Sequence, residues 1–203
     1  MSSEGHSTYS YEKLSVSSPL LGGFPIRGTY KVKYQGDAEW DFQVEAMDVP
    51  IDLSLNLPHY RARHQPVEHR MSMFVAGESE AIKLKVCRTL SRSRFFLEVQ
   101  ADTSDVTVWL PSDFKGQIHY GGKASFSPGF INRVLKNVRF NEAGEARGQD
   151  EVVIETMGHV SFRMWDMDAG APENCTKEHL KRIFGCSRKQ PATLIDWDCL
   201  VRD

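Results

Sequence analysis

No stretch of this sequence approaches the roughly 18 consecutive apolar residues needed to cross a bilayer as a helix. No membrane partner is therefore expected. A surplus of one charge is also missing: 25 Lys and Arg stand against 27 Asp and Glu, a formal net charge of −2. Generic nucleic-acid affinity rests on a basic surplus, so no nucleic-acid partner is expected, although a local basic patch is still allowed. Cysteine is sparse, with four residues (Cys87, Cys175, Cys186, Cys199). The opening stretch, MSSEGHSTYSYEKLSVSS, has no apolar centre of the kind a secretory signal carries. The cysteines are accordingly expected as reduced thiols in a cytoplasmic protein. On the same reasoning the sequon Asn174-Cys175-Thr176 is read as coincidence.

What is present is enough for one ordinary globular domain. Its 203 residues can bury a sizeable core without disulfide or metal staples. Residues 1–23 hold few large apolar side chains and many serines, so they read as a flexible tail, with a single β-rich domain over 24–203. From Arg27 onward the dominant period is two. In DLSLNL, Leu53, Leu55 and Leu57 share one face, opposite Asp52, Ser54 and Asn56. AIKLKVC sets Ile82, Leu84 and Val86 against Lys83, Lys85 and Cys87, and RFFLEVQ sets Phe95, Leu97 and Val99 against Phe96, Glu98 and Gln100. GHVSFRMWD places Val160, Phe162 and Met164 opposite His159, Ser161, Arg163 and Trp165, and EWDFQVEA alternates through Trp40, Phe42, Val44 and Ala46. Such alternation marks strands with one face in a core and one face wet. About ten to thirteen strands are expected, well above the usual share.

Helix signals are few. SPGFINRVLKNV fits a helical turn through Ile131, Val134, Leu135 and Val138, but KNVRF also fits a strand. A C-terminal helix is expected near 176–185, with Asn174 or Thr176 as cap, Leu180, Ile183 and Phe184 as an apolar stripe, and Gly185 at its end. A last strand is expected near 193–201, where Ile195, Trp197, Cys199 and Val201 alternate. The expected fold is mainly β, with antiparallel hairpins stacked as a sandwich or a solenoid-like roll and one C-terminal helix packed on it.

The run FFLEVQADTSDVTVWLPSDFKGQIHY, followed later by DEVVIETMGHVSFRMWD, resembles an uncharacterised fungal β-repeat domain, a domain of unknown function. Members string together strand–turn–strand units of the form V-x-V-x-L-P and then F-x-G, and the last unit ends on a glycine followed by V-x-hydrophobic. Here these are Val106 to Pro111, Phe114 to Gly116, and Met157-Gly158-His159-Val160. The resemblance covers approximately residues 50–168. One departure is Thr103-Ser104-Asp105, which lacks the glycine of the family's turn and so disfavours a two-residue primed turn. The resemblance implies a fold and transfers no activity or catalytic residue.

Familiar chemical motifs fail on spacing. His59, His64 and His69 are five residues apart, which separates neighbours on a helix or a strand, and Pro66 interrupts a helix. Asp166-Met167-Asp168-Ala169-Gly170 opens like a calcium loop, but its twelfth position is Lys177 in place of Glu. The Trp-Asp pairs at 40, 165 and 197 fit no propeller period, and Cys175, His179 and Cys186 match no common zinc spacing. There is no G-x-S-x-G elbow, P-loop, dinucleotide fingerprint or H-E-x-x-H. No metal and no cofactor is expected.

One feature of the strands points to a surface. If Val106, Val108 and Leu110 face the core, Trp109 faces away from it. The same reckoning turns Phe96, His119, His159, Arg163 and Trp165 outward. Should their strands be neighbours, the six form one aromatic, histidine-bearing patch able to cover a small apolar or aromatic ligand or a protein partner, and a homodimer is allowed. The bland alternative is that another sheet, the C-terminal helix or the strand near Trp197 covers this face. The leading expectation is a non-enzymatic binding or interaction module. The alternative is a small-molecule enzyme (a cyclase, isomerase or hydrolase) with His119 or His159 as general acid or base, Arg163 as anion clamp and Trp109 or Trp165 as apolar wall.

Overall fold

The computed structural model describes residues 14–16, 24–36, 38–90, 93–144 and 148–183. Alternating strands need a partner for their apolar face, and this chain supplies it by winding. Strands β2 (Ile26–Lys31), β4 (Ile51–Asn56), β6 (Ile82–Cys87) and β8 (Val106–Pro111) lie side by side in one sheet. The strands between them, β3 (Phe42–Ala46), β5 (Met71–Gly77) and β7 (Phe95–Ala101), lie side by side in another. Each strand is thus bonded to the strand two places away, in parallel. Leu53 is level with Leu84, Leu84 with Val108, and Met73 with Leu97. These leucines, with Val44, Val75, Val99, Val106 and Phe162, are fully buried in one cluster built from both sheets.

The expected antiparallel hairpins are therefore overturned. Period-two alternation reports which face is buried and is silent on the direction of the neighbour. A parallel neighbour usually requires a helical crossover. Here the strand in the opposite sheet is the crossover, and Thr103-Ser104-Asp105 joins the sheets between β7 and β8. The one antiparallel pairing among the described residues joins two-residue β14 (Ala171–Pro172) to Trp165 and Asp166.

After β8 the winding skips a place. Strands β9 (Gly116–Tyr120) and β11 (Val138–Phe140) go to the far side of the first sheet, and β10 (Lys123–Phe126) goes to the far side of the second. Between β10 and β11 the ambiguous segment realises both readings in turn: a π-turn at Phe130–Val134, a 3₁₀ turn at Leu135–Asn137, then a strand. The chain then returns. Strand β12 (Asp150–Glu155) inserts between β7 and β9, and β13 (His159–Asp166) inserts between β8 and β10. The first sheet runs β1 (Leu14–Val16), β3, β5, β7, β12, β9, β11, and the second runs β10, β13, β8, β6, β4, β2.

Two glycines make room for the returning strands. A Cβ at Gly116 would collide with the Asp150 carbonyl, and one at Gly158 with the Ser104 carbonyl. The return is fastened by charge. Arg88, which follows β6, donates two 2.9 Å hydrogen bonds to the Asp150 carboxylate, with side chains 1% and 0% exposed. Arg88 also bonds Asp113 and the Ser93 carbonyl. Asp150 accepts further N–H groups from Phe95 and Lys115. Burial pushes the Asp150 carboxyl above its ordinary range, against the pull of Arg88, while burial's effect on Arg88 is outweighed by its carboxylate partners.

Helix α1 (Cys175–Ile183) follows, capped by the Asn174 side chain, which accepts the Lys177 N–H at 3.0 Å. Leu180 and Ile183 on it are exposed. The last expected strand, near 193–201, and all of residues 1–23 except Leu14–Val16 lie outside the described residues.

Removing Asp150 leaves Arg88 buried with only part of its charge answered. Asp150→Ala is expected to lower unfolding stability by about 3–5 kcal/mol, the usual cost of breaking a buried pair. Urea denaturation measures it, and a loss under about 1 kcal/mol, as for an exposed pair, would contradict the assignment.

Candidate functional site

Because neighbours are parallel and in register, outward side chains of adjacent strands stand level in rows. On the outer face of the second sheet one row reads Ser54, Lys85, Trp109, Arg163 across β4, β6, β8 and β13. Lys85 Nζ lies 5.2 Å from the centre of the Trp109 ring and Arg163 Cζ lies 5.3 Å from it. An outward tryptophan is therefore only 8% exposed, covered by cations from its two neighbouring strands. Each such contact is worth roughly 0.5–2 kcal/mol. The Trp109 Nε1–H is buried with no hydrogen-bond partner among the described residues. Lys85 also reaches Asp52 at 2.6 Å.

Arg163 connects this row to the start of α1. It donates to Cys175 Sγ at 3.1 Å and lies 3.7 Å from Glu173. The Glu173 carboxylate is buried and accepts the Gly129 N–H at 2.6 Å and the Met164 N–H at 3.2 Å, so it holds the turn before Phe130 against β13. Farther along α1, Glu178 accepts from Asn132 and Lys181. Burial works against its charge, but Lys181, Asn132 and Arg133 outweigh that and hold its carboxyl below the ordinary range.

Trp165 stands on the same outer face as Trp109 and lines a cavity of about 190 Å³ with Asn56, His59, Cys87 and Arg88. Cys87 is 9% exposed, and burial pushes its thiol up to about 11 against the pull of Lys85. A second, open cavity of about 610 Å³ lies at the C-terminal ends of the first sheet's strands, lined by Glu45, Glu78, Gln100, Asp102, Glu155 and Met157 among others.

The six residues singled out in the sequence do not form one patch. Trp109, His159, Arg163 and Trp165 share the outer face of the second sheet, while Phe96 and His119 lie on the outer face of the first. Phe96 stacks on Trp40 at 5.8 Å and carries the Arg70 guanidinium over its ring, in a strip completed by Phe74. His119 is level with Val153. His159 is exposed and meets Ser125 Oγ at 2.8 Å, and its backbone N–H bonds Asp105. Neither histidine lines the two cavities above.

Lys85 and Glu173 were not singled out and Cys175 was weighed only as a zinc ligand; for this row only Lys85 carried a signal, as an outward position of its strand. Nor was the polar knot around Asp41 singled out. That buried carboxylate accepts from Ser72 and Gln35 N–H groups and meets His69 Nε2 at 2.7 Å. It ties the histidine-bearing loop to the edge of β5. His59 is engaged separately, with Thr89. Among the described residues no three His, Cys, Asp or Glu side chains converge as a metal site, and no helix is long and apolar enough to cross a membrane.

A family model described as Domain of unknown function (DUF7330) matches residues 34–147. The chain belongs to the DUF7330 family. The DUF7330 match takes in β3 to β11, hence Lys85, Trp109 and the skipped place, and stops before the returning strands that bring Arg163. No curated protein and no solved structure matches the chain.

The two described thiols should differ in reactivity. With Cys186 and Cys199 replaced by serine, a thiol reagent at about pH 8 is expected to label Cys175 and spare Cys87, because Cys87 is both covered and protonated until near pH 11. Peptide mapping reads the result, and native labelling of Cys87 at a comparable rate would contradict its burial.

Proposed function

We propose that this protein is a non-enzymatic binding module that receives an anionic protein partner on the outer face of its second sheet. The observation that carries the reading is the Lys85–Trp109–Arg163 row. It lies within a face whose strands also carry Arg27, Lys31, Lys83 and Lys123, against Asp52 as the one acidic residue on these strands' outward positions. Tryptophan and arginine are the side chains that dominate binding energy at interfaces. A broad, electropositive sheet face with an aromatic centre suits a macromolecular surface, while the cavity beside Trp165, about 190 Å³, is smaller than the roughly 300 Å³ and more of a usual small-molecule site. The balanced overall charge is no obstacle, because complementarity is local and acts on encounter rate and register. Catalysis by His119 or His159 has no comparable support, since the two stand on different faces away from the cavities. A cytoplasmic setting, with its thiols reduced, belongs to the same proposal.

The test uses fluorescent poly-L-glutamate as a probe, with binding followed by anisotropy at low salt. The full chain is expected to bind, and Lys83→Glu/Lys85→Glu to weaken binding by at least tenfold. Trp109→Ala is expected to weaken it less, through loss of the platform on which both cations rest. Binding unchanged in Lys83→Glu/Lys85→Glu would sink the reading.

A further inference from the structure

We propose that the partner of this basic face is a second copy of the chain, docked through the opposite, acidic face. The inference rests on the binding-module reading and names its occupant. Outward positions of the first sheet carry Glu45 on β3, Glu98 on β7, and Glu151 and Glu155 on β12, against Arg139 on β11 as the one strand-borne cation there. Glu151 is paired with Arg70 at 2.5 Å, while Glu45 and Glu155 are exposed. At the upper rim of this face lies the 610 Å³ groove, where Glu45 and Glu155 are joined by Glu78 and Asp102. Its margins are apolar: Met47 is 65% exposed and Met157 75%. A chain that is nearly neutral overall has thus sorted its sheet-borne charges, cations to one broad side and carboxylates to the other.

On both faces the charges stand in columns set by the strands. On the basic face the charged columns β2, β6 and β13 are separated by β4 and by β8, and β10 with Lys123 lies directly beside β13. On the acidic face β3 and β7 are separated by β5, and β12 lies directly beside β7. With strands ~4.8 Å apart, charge recurs on each face at one or two strand spacings, about 5 to 10 Å. A six-strand face with strands of about six residues measures about 24 by 20 Å, or about 500 Å² a side. That lies at the low end for a specific contact, so the association is weak and salt-sensitive. Because two different faces meet, the contact is heterologous and does not close on itself, and the expected product is an open series of oligomers.

Sedimentation velocity of the full chain tests this. At about 0.01 M salt, where screening reaches about 30 Å, the average mass is expected to rise with concentration above 23.1 kDa, and at about 1 M salt to fall back to it. Two variants use exposed residues that touch neither Trp109 nor the core. Arg27→Glu/Lys83→Glu and Glu45→Lys/Glu155→Lys are each expected to remain monomeric alone, and an equal mixture is expected to associate again. A monomer at all concentrations in low salt overturns the self-docking inference, as does association that survives in either variant or fails to return in the mixture. If poly-L-glutamate still binds in that case, the basic face keeps its function with another acidic partner. If it does not, the underlying reading falls too.

Discussion

Asp150 is bonded to three segments that lie far from it in the chain: Arg88 beyond the end of β6, Phe95 at the start of β7, and Lys115 before β9. All three meet at the position where β12 enters a place left empty by the preceding winding. A parallel sheet with a missing strand would expose unpaired N–H and C=O groups on both sides of the gap, each costly when shielded from water. The returning pair β12 and β13 pairs those groups in both sheets at once. The buried carboxylate and guanidinium then set where the return begins, since a shift by one residue would turn Val152 and Ile154 out of the core.

The candidate site is a consequence of that return. Trp109 sits on β8, whose far neighbour is β13, and Arg163 reaches the indole only because β13 fills the skipped place. Lys85 approaches from β6, part of the regular winding. The row is therefore assembled from both halves of the fold. Parallel register has a second effect: residues at equivalent phases of successive strands stand in line, so a modest bias in composition becomes a charged face. Six cations on outward positions of one sheet and four carboxylates on those of the other are a large separation for a chain of net charge −2.

Local alternation made much of this readable. The buried and exposed sides of β4, β6, β7 and β13 follow from their residues alone, and so does the outward placement of Trp109, Arg163 and Trp165. Strand direction was not readable, because the same alternation serves hairpins and parallel windings, and the missing glycine at Thr103-Ser104-Asp105 was a hint against hairpins that leaves the alternative unnamed. The single patch of six failed for a related reason. Phe96 and Trp109 are both outward, but β7 and β8 belong to opposite sheets, so outward points to opposite sides of the molecule. Trp40 shows a limit of phase counting: it is in step with Phe42 and Val44, yet β3 starts only at Phe42, and its ring lies outside on Phe74 and Phe96. The skipped place, and with it the role of Asp150, is set by contacts between residues dozens of positions apart and leaves no local trace.

Native-state hydrogen exchange on β12 tests the central claim most directly. If β12 lies between β7 and β9, its amides are shielded on both flanks and should exchange only on global unfolding, as slowly as those of β6 and β7. Exchange of Val152 to Ile154 through low-energy local opening, as for a strand attached at an edge, would contradict the account.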